Sequence, residues 1–230
     1  MTITVSMAVQ VLASKQISKE ELDNILKEHA LWIEDNKQGK CAELSGYNLS
    51  KFDLQDQDLS YANLAGANLM EANLSNTNLT HANLREANLD AADMTGAILD
   101  GAALHKASIF HADFTGASAK SSDFSHCLMW ASTLREASLA GANFSYAALC
   151  DCDFTSADLS TCDLYGSDID YTDFTKANLE SVHLVYANNS FWADFTGANL
   201  TGVDFTECEL NPESVKGAQG LLGKNKEDCH

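Results

Sequence analysis

Cysteine, histidine and the carboxylates are the side chains of this sequence whose types could do chemistry. There are 7 Cys and 7 His, and such residues serve elsewhere as metal ligands or as nucleophile and base. Their spacing favours neither use, because Cys150-x-Cys152 lacks a second pair at zinc-binding distance and the His are scattered. The sequence also has no phosphate-binding loop and no His-Glu-x-x-His motif. We therefore predict no enzyme activity, no metal and no cofactor.

The carboxylates are numerous enough to set the charge of the molecule. The formal net charge is −19, and residues 42–210 hold six Lys and Arg against twenty-four Asp and Glu, a net of −18. The charge therefore belongs to the body of the chain and not to a tail. Such a surface repels nucleic acid and attracts basic protein partners. The alternative is that the charge only keeps the protein soluble.

A five-residue repeat must position these side chains. A small residue is followed by Asp or Asn, then by Leu or Phe, as in Ala62-Asn63-Leu64 and Ala67-Asn68-Leu69. We name the Leu or Phe position the centre. Centres recur every five residues from Leu44 to Asn189, one extra residue intervenes, and four more units follow, ending at Leu210. A period of five fits neither an α-helix nor a flat strand, and it indicates a solenoid whose coils bury their apolar edges against one another.

This period resembles the pentapeptide-repeat family, whose signature is A(D/N)LXX. The resemblance covers about three quarters of the chain, and it implies an all-β solenoid, a right-handed quadrilateral β-helix with four units in each coil. Thirty-four units make about 8.5 coils, and at the usual strand spacing of about 4.8 Å the rod is roughly 40 Å long. We predict three regions: an N-terminal strand and capping helix (1–40), the β-helix (41–210), and a C-terminal cap with a loose tail (211–230).

The first region contains two predicted elements. Residues 2–12 alternate apolar and polar, which is typical of a half-buried strand that pairs within this chain or with a second one. A helix follows, with Ser18 as its N-cap, Glu21 completing a capping box, and Gly39 as the C-terminal stop. Its predicted apolar face, which covers the first coil, contains Leu22, Ile25, Leu26, His29 and Ile33.

Centres twenty residues apart lie on one face of a four-sided coil, so the sequence sorts into four faces. Faces one to four begin at Leu44, Leu49, Leu54 and Leu59. Ala119 is the single truncated centre, beside the large Phe114, and Asn189 is a polar centre next to the extra residue, where we predict a local bulge or loop over 189–194. Four thiols take the inward position that Ala usually fills, where free Cys acts as a small hydrophobe: Cys127, Cys152, Cys162 and Cys208.

Residues immediately before the face-three centres form an acidic column. The carboxylates in it repeat at the coil spacing and could imitate a line of phosphates. Alternatively, Asp at this position hydrogen-bonds the backbone of the turn. We name this column the acidic stripe, and its members are Asp53, Asp93, Asp113, Asp153, Asp173 and Asp194.

Face two and its edges carry apolar and aromatic residues where the repeat elsewhere places polar ones. Such a row indicates a contact surface, although isolated surface aromatics are common. We predict a partner surface made of Phe110, Leu128, Trp130, Tyr146, Tyr165, Tyr186, Phe191 and Trp192.

Two functions follow as hypotheses. The first is a rigid acidic rod in the cytoplasm, with no membrane or nucleic-acid partner, that presents a surface to an unknown, basic-surfaced protein or to its own copy as a homodimer. The second comes from the resemblance, because pentapeptide-repeat proteins that confer quinolone resistance are DNA mimics that bind DNA gyrase. Those proteins dimerise through a C-terminal helix, whereas residues 213–230 are polar and contain several Gly.

Overall fold

Backbone pairing at a fixed interval of twenty residues organises this protein. The computed structural model describes residues 14–188, 190–208 and 210–220. Parallel β-bridges link Glu43 to Asn63, Asn63 to Asn83, and so on along each face. The Leu44 N–H donates to the Asn63 carbonyl at 2.7 Å, and the same bond recurs at successive centres. Within the described residues, pairing consists of these single bridges between coils and not of long continuous strands.

A tight turn at every corner explains the five-residue period. The Ala62 N–H donates to the Leu59 carbonyl at 3.0 Å across one such turn. The second residue after each centre from Leu44 to Leu184 has a left-handed backbone, as Gly66 does with a φ of 62°. The Asn63 Oδ1 accepts a hydrogen bond from the Ala65 N–H at 3.3 Å. Asp and Asn therefore precede the centres because their side chains close the turns.

The core consists of the centres together with the small residues two positions before them. Leu44, Leu64 and the aromatic centres from Phe114 to Phe195 are fully buried, and the Ala ladder is buried beside them. The truncated centre Ala119 is buried as well. The large neighbour Phe114 lies edge-on to Phe124, with ring centroids 6.2 Å apart, so large side chains surround the small one.

Polar residues at the inward Ala position donate to backbone carbonyls. The Cys127 thiol donates to the Leu104 carbonyl at 2.9 Å, and the Cys162 thiol donates to the Leu139 carbonyl at 3.0 Å. The Thr77 hydroxyl makes the equivalent bond to Leu54 at 2.7 Å. Burial raises the pKa of both thiols to about 12, which keeps them neutral and unreactive.

The helix α1 spans Lys19–Glu34. Ser18 is its N-cap, as predicted, and its hydroxyl accepts from the Glu21 N–H at 3.1 Å. The prediction that Gly39 ends the helix was wrong. The helix ends earlier because the Asp35 N–H makes the last helical bond, to the Leu31 carbonyl, and Asp35 then turns extended.

One face of α1 packs on the first coil. Leu22 and His29 are buried, whereas Ile33 is exposed, so Ile33 was wrongly placed on the apolar face. The Ala42 N–H donates to His29 Nδ1 at 3.1 Å, which ties the helix to the backbone entering the first unit.

The chain around the helix and rod is only partly described. The predicted strand 2–12, the polar centre Asn189 and the tail 221–230 lie outside the described residues. Lys15 pairs in parallel with Tyr47, so the chain before α1 joins the first coil. No helix among the described residues is long and apolar enough to cross a bilayer.

Two departures from a regular rod occur near its end. A 3₁₀ helix spans Ser190–Trp192, which confirms a local irregularity there. Bridges that span it join residues twenty-one apart, as in Asp173 to Asp194. Pairing also continues past the predicted end at residue 210, because Gln219 bridges Asn199. Pro212 does not stop the solenoid.

Candidate interaction surface

Phe110 and Trp130 pack against each other on face two. Each follows a centre by one residue, so they lie on successive coils. Their ring centroids are 6.1 Å apart, with planes at 75°, an edge-to-face arrangement that aromatic pairs favour. Trp130 is 44% exposed and the adjacent Leu128 is 40% exposed. Sequence reasoning placed these three residues together, and the structure does so too.

A shallow groove runs beside this pair. Met70, Asp90, Phe110 and Trp130 line it along one column, together with the corner residues Glu71, Ala91 and His111. The Asp90 Oδ1 accepts from the Phe110 N–H at 3.0 Å and from the Ser108 hydroxyl at 2.7 Å. The carboxylate is therefore held in one orientation at the end of the aromatic pair.

A second group of rings follows the corner between faces one and two. Tyr165 contacts Tyr146, with centroids 5.5 Å apart, and Tyr186, with centroids 5.7 Å apart. The ladder continues through residues that sequence reasoning missed, because His126 stacks on Tyr146 at 5.1 Å and contacts His105 at 5.3 Å. A search for residues twenty positions apart does not detect this His pair. The two residues are twenty-one positions apart and lie at neighbouring positions of one corner.

A third group lies at the corner between faces two and three. Tyr171 and Trp192 stack with centroids 5.7 Å apart and planes at 16°. Phe191 lies edge-on to Trp192 at 5.0 Å. Trp192 is 55% exposed, so the 3₁₀ helix turns a large apolar side chain outward. Tyr171 completes a cluster that the predicted surface contained only in part.

Three of these tyrosines occupy backbone positions that disfavour large side chains. Tyr146, Tyr171 and Tyr186 are corner residues with φ values of 57°, 53° and 56°. A bulky residue in this left-handed region costs roughly 1–2 kcal/mol, and Gly avoids that cost. Backbone geometry therefore does not favour these rings.

The rings of the predicted partner surface form three groups and not one continuous patch. Phe110 and Trp130 occupy the first turn position after the face-two centres, the Tyr171 group lies at the same corner, and the Tyr165 group lies at the other corner of face two. The three groups contain every residue of the predicted partner surface except Leu128, which adjoins Trp130. The arrangement is therefore an apolar strip with two aromatic borders.

Face two becomes acidic again beyond Trp130. Asp170 occupies the same column two coils after Trp130, and its Oδ1 is enclosed without a hydrogen-bond partner among the described residues. Burial, then Asp168 and Asp151, raise the pKa of the Asp170 carboxyl. Cys150 lies between Trp130 and Asp170, and burial and Asp168 raise the pKa of its thiol to about 12.

The acidic stripe has a structural role in every unit. Each of the six carboxylates accepts a hydrogen bond from the backbone N–H two residues later. Thr115 donates to Asp113 at 2.8 Å, and Arg135 also pairs with Asp153 at 2.9 Å. The same turn bond occurs at Asp53, Asp93, Asp113, Asp153, Asp173 and Asp194.

The described part of the chain contains no cluster of side chains that resembles a metal site. Within it, no group of three or more His, Cys, Asp or Glu side chains could hold a metal ion. The thiols and carboxylates are instead distributed along the coils by the repeat. What the surface offers chemically is apolar contact, ring stacking and negative charge.

Comparison with known proteins supports the repeat reading. The family model described as "Pentapeptide repeats" matches eight copies spanning residues 40–188 and 191–211. No curated protein gives a significant sequence match. Among solved structures, QnrB1, a plasmid-mediated fluoroquinolone resistance protein, is 17% identical over 77% of this chain and 91% of its own, with a TM-score of 0.54. That likeness shows the fold alone, a quadrilateral β-helix.

A cyanobacterial protein also resembles this chain. HetL from Nostoc sp. strain PCC 7120, a pentapeptide repeat protein involved in heterocyst differentiation regulation, is 27% identical. The match covers 88% of this chain and 94% of HetL, with a TM-score of 0.49.

Proposed function

The chain belongs to the pentapeptide-repeat family, and from that premise we propose that it is a non-enzymatic interaction scaffold. The rod holds face two rigid and presents its apolar strip to a protein partner. One observation carries this proposal: Phe110, Leu128 and Trp130 together replace polar residues of the repeat with apolar ones, of which Leu128 and Trp130 are exposed and Phe110 is half-buried. Aromatic residues that are clustered and partly exposed are enriched at protein interfaces.

The three ring groups strengthen the proposal because they share one side of the rod. The corner tyrosines occupy positions where Gly would be easier for the backbone, so their rings are retained at some cost to stability. Tyr171 and Trp192 border the strip at one edge, and Tyr146 and Tyr186 border it at the other. An interface with a central apolar strip and amphipathic rims matches the usual anatomy of a binding site.

Charge favours a basic partner over a second copy. Two copies that each carry a net charge of −19 repel one another, whereas a basic surface is attracted and steered toward the rod. A homodimer is therefore the less favoured use of the same strip. The further proposals are that α1 caps a rod of about 8.5 coils and that the protein works in the cytoplasm, where thiols remain reduced.

A matched pair of variants tests the scaffold. Phe110→Ser with Trp130→Ser removes two rings from face two, and Ile98→Ser removes one exposed apolar side chain, 42% exposed, from face four. We expect affinity capture followed by mass spectrometry to lose specific partners with the double variant and to keep them with Ile98→Ser. Equal capture by all three proteins, with unchanged circular dichroism, would contradict the proposal.

The alternative function is a DNA mimic that binds DNA gyrase, and the acidic stripe is the observation that favours it. Its carboxylates fill six of the eight positions of the column, and successive positions are about 4.8 Å apart. A supercoiling assay at two salt concentrations tests this. Salt-sensitive inhibition that disappears when the stripe is changed to Asn would support mimicry, and no inhibition at micromolar protein would exclude it.

A further inference from the structure

Within the column that follows the face-two centres, a segment of five coils has a carboxylate at each end and a different chemistry in the middle. In coil order it reads Asp90, Phe110, Trp130, Cys150 and Asp170. A carboxylate stands at each end, and two rings and a neutral thiol stand between. This symmetry is not produced by the repeat, because the residue after a centre is the variable one.

The two end carboxylates are both prepared for a cation, though in different ways. Asp90 is held by two hydrogen bonds that both go to Oδ1, which leaves its Oδ2 for a partner. Asp170 has an enclosed Oδ1 without a partner among the described residues, beside two further carboxylates that disfavour its charge. A positive group arriving there would offset both the burial and the repulsion.

The distance between these ends corresponds to a definite length of extended chain. Asp90 and Asp170 are four coils apart, or about 19 Å at the usual strand spacing. An extended peptide rises about 3.3 Å per residue, so six residues cover the same distance. Residues separated by an even number point to the same side of a strand. Residues at the two ends of such a segment would therefore both face the rod.

We propose that this column binds an extended segment of a partner protein in which two basic residues, six positions apart, flank two apolar ones. The proposal rests on the scaffold function and specifies its partner. The basic side chains lie on Asp90 and Asp170. The two inward-facing residues between them lie over Phe110, Trp130 and Cys150. Arginine suits the ends best, because its charged planar group also stacks on the neighbouring rings.

A second copy of this chain does not fit the column. No two Lys or Arg residues in the sequence are six positions apart. The occupant is therefore a different protein, in agreement with the repulsion expected between two acidic rods.

Two synthetic peptides of identical composition test the spacing. The first is Arg-Ser-Leu-Ser-Leu-Ser-Arg, and the second contains the same residues with the two Arg adjacent. Binding is followed by the NMR shift of the Trp130 indole N–H, up to peptide concentrations of about 1 mM, a range that suits weak affinities. We expect the spaced peptide to bind at least about tenfold more tightly than the adjacent one, or about 1.4 kcal/mol.

Single substitutions assign the two ends. Asp90→Asn keeps the oxygen that accepts from Phe110 and Ser108 and removes the negative charge. Asp170→Asn removes the negative charge at the far end. Each should reduce affinity for the spaced peptide severalfold, while Asp113→Asn on face three should not. Equal binding of the two peptides, or no effect of Asp90→Asn and Asp170→Asn, would overturn the proposal.

Two different results separate a wrong peptide specificity from a wrong scaffold function. If Phe110→Ser with Trp130→Ser abolishes partner capture while both peptides bind equally, the strip is an interface with another specificity. If the double variant captures the same partners as the wild-type protein, the scaffold function itself is wrong.

Discussion

Phe124 and Phe144 stack inside the rod with ring centroids 4.8 Å apart and planes only 3° from parallel. That separation equals the spacing between neighbouring strands, so these rings are stacked in step with the backbone. Phe154 and Phe174 repeat the arrangement on face three at 5.2 Å. The core of this protein is therefore a set of parallel stacks, and each member supports the one before and after it.

Phe144→Ala tests that mutual support. Removing the ring leaves a cavity between Phe124 and the next coil, and such losses cost about 3–5 kcal/mol. We expect a lower midpoint in chemical denaturation followed by far-ultraviolet circular dichroism. Tyr146→Ala, which removes an exposed ring two residues away, serves as the control and should cost much less. Similar losses in the two variants would contradict the stacked core.

Acidification should loosen the attachment of α1. His29 is fully buried, its Nδ1 accepts from the Ala42 N–H, and its Nε2 has no partner among the described residues. Burial lowers its pKa from the usual 6.5, although Asp58 and the Ser60 backbone oppose the shift. The unfolded chain therefore takes up a proton near pH 6.5 that the folded chain resists, so stability falls as the pH drops through that value.

His29→Asn isolates this contribution from the other titrating groups. The Asn amide oxygen accepts the same Ala42 N–H but does not titrate. Unfolding free energies measured at about pH 7.5 and pH 5.5 should fall further in the wild-type protein than in His29→Asn. An equal fall would show that His29 does not couple the helix to pH.

The architecture was predictable because one rule is repeated more than thirty times. Inward positions, turn-closing Asp and Asn, and the extra residue before Phe195 could each be read from spacing alone. Sequence patterns failed to predict where the helix and the solenoid end, because a single backbone contact decides each end. Gly39 has the conformation of a helix stop, yet α1 ends at Glu34 because the Asp35 backbone leaves the helical path first. Likewise Gln219 pairs with Asn199 although the signature ends nine residues earlier.

The buried thiols should resist modification in the folded protein. Cys127, Cys152 and Cys162 are buried with a pKa raised to about 12, so little thiolate exists at neutral pH. Cysteine labelling with an alkylating reagent, located by mass spectrometry, should leave these three unmodified until denaturant is added. Labelling of Cys127 at the same rate in folded and unfolded protein would refute this.

Asp113 separates the structural role of the acidic stripe from its charge. Asp113→Asn keeps the acceptor for the Thr115 N–H, and Asp113→Ala removes it. We expect the Asn variant to unfold like the wild-type protein and the Ala variant to lose about 1 kcal/mol, a typical value for one hydrogen bond. Denaturation curves would show this. A destabilised Asn variant would mean that the charge itself holds the turn.

The predicted partner surface could be found from sequence only as a departure from the repeat. Phe110 and Trp130 were detectable because they replace polar residues at the same position of successive coils. The His105 and His126 contact was not, because it crosses from one position of a corner to the next. The contact between Tyr171 and Trp192 was not predictable from spacing, since it depends on the 3₁₀ helix at Ser190–Trp192.

The 3₁₀ helix adds one residue to the repeat, but the backbone pairing on three faces of the rod is unchanged. Bridges on faces three, four and one resume with Asp194, Asn199 and Asp204 on their former columns. The insertion shifts the register of the sequence by one residue, and the surface columns stay aligned. A binding partner that contacts those columns along the rod therefore meets no break at the 3₁₀ helix.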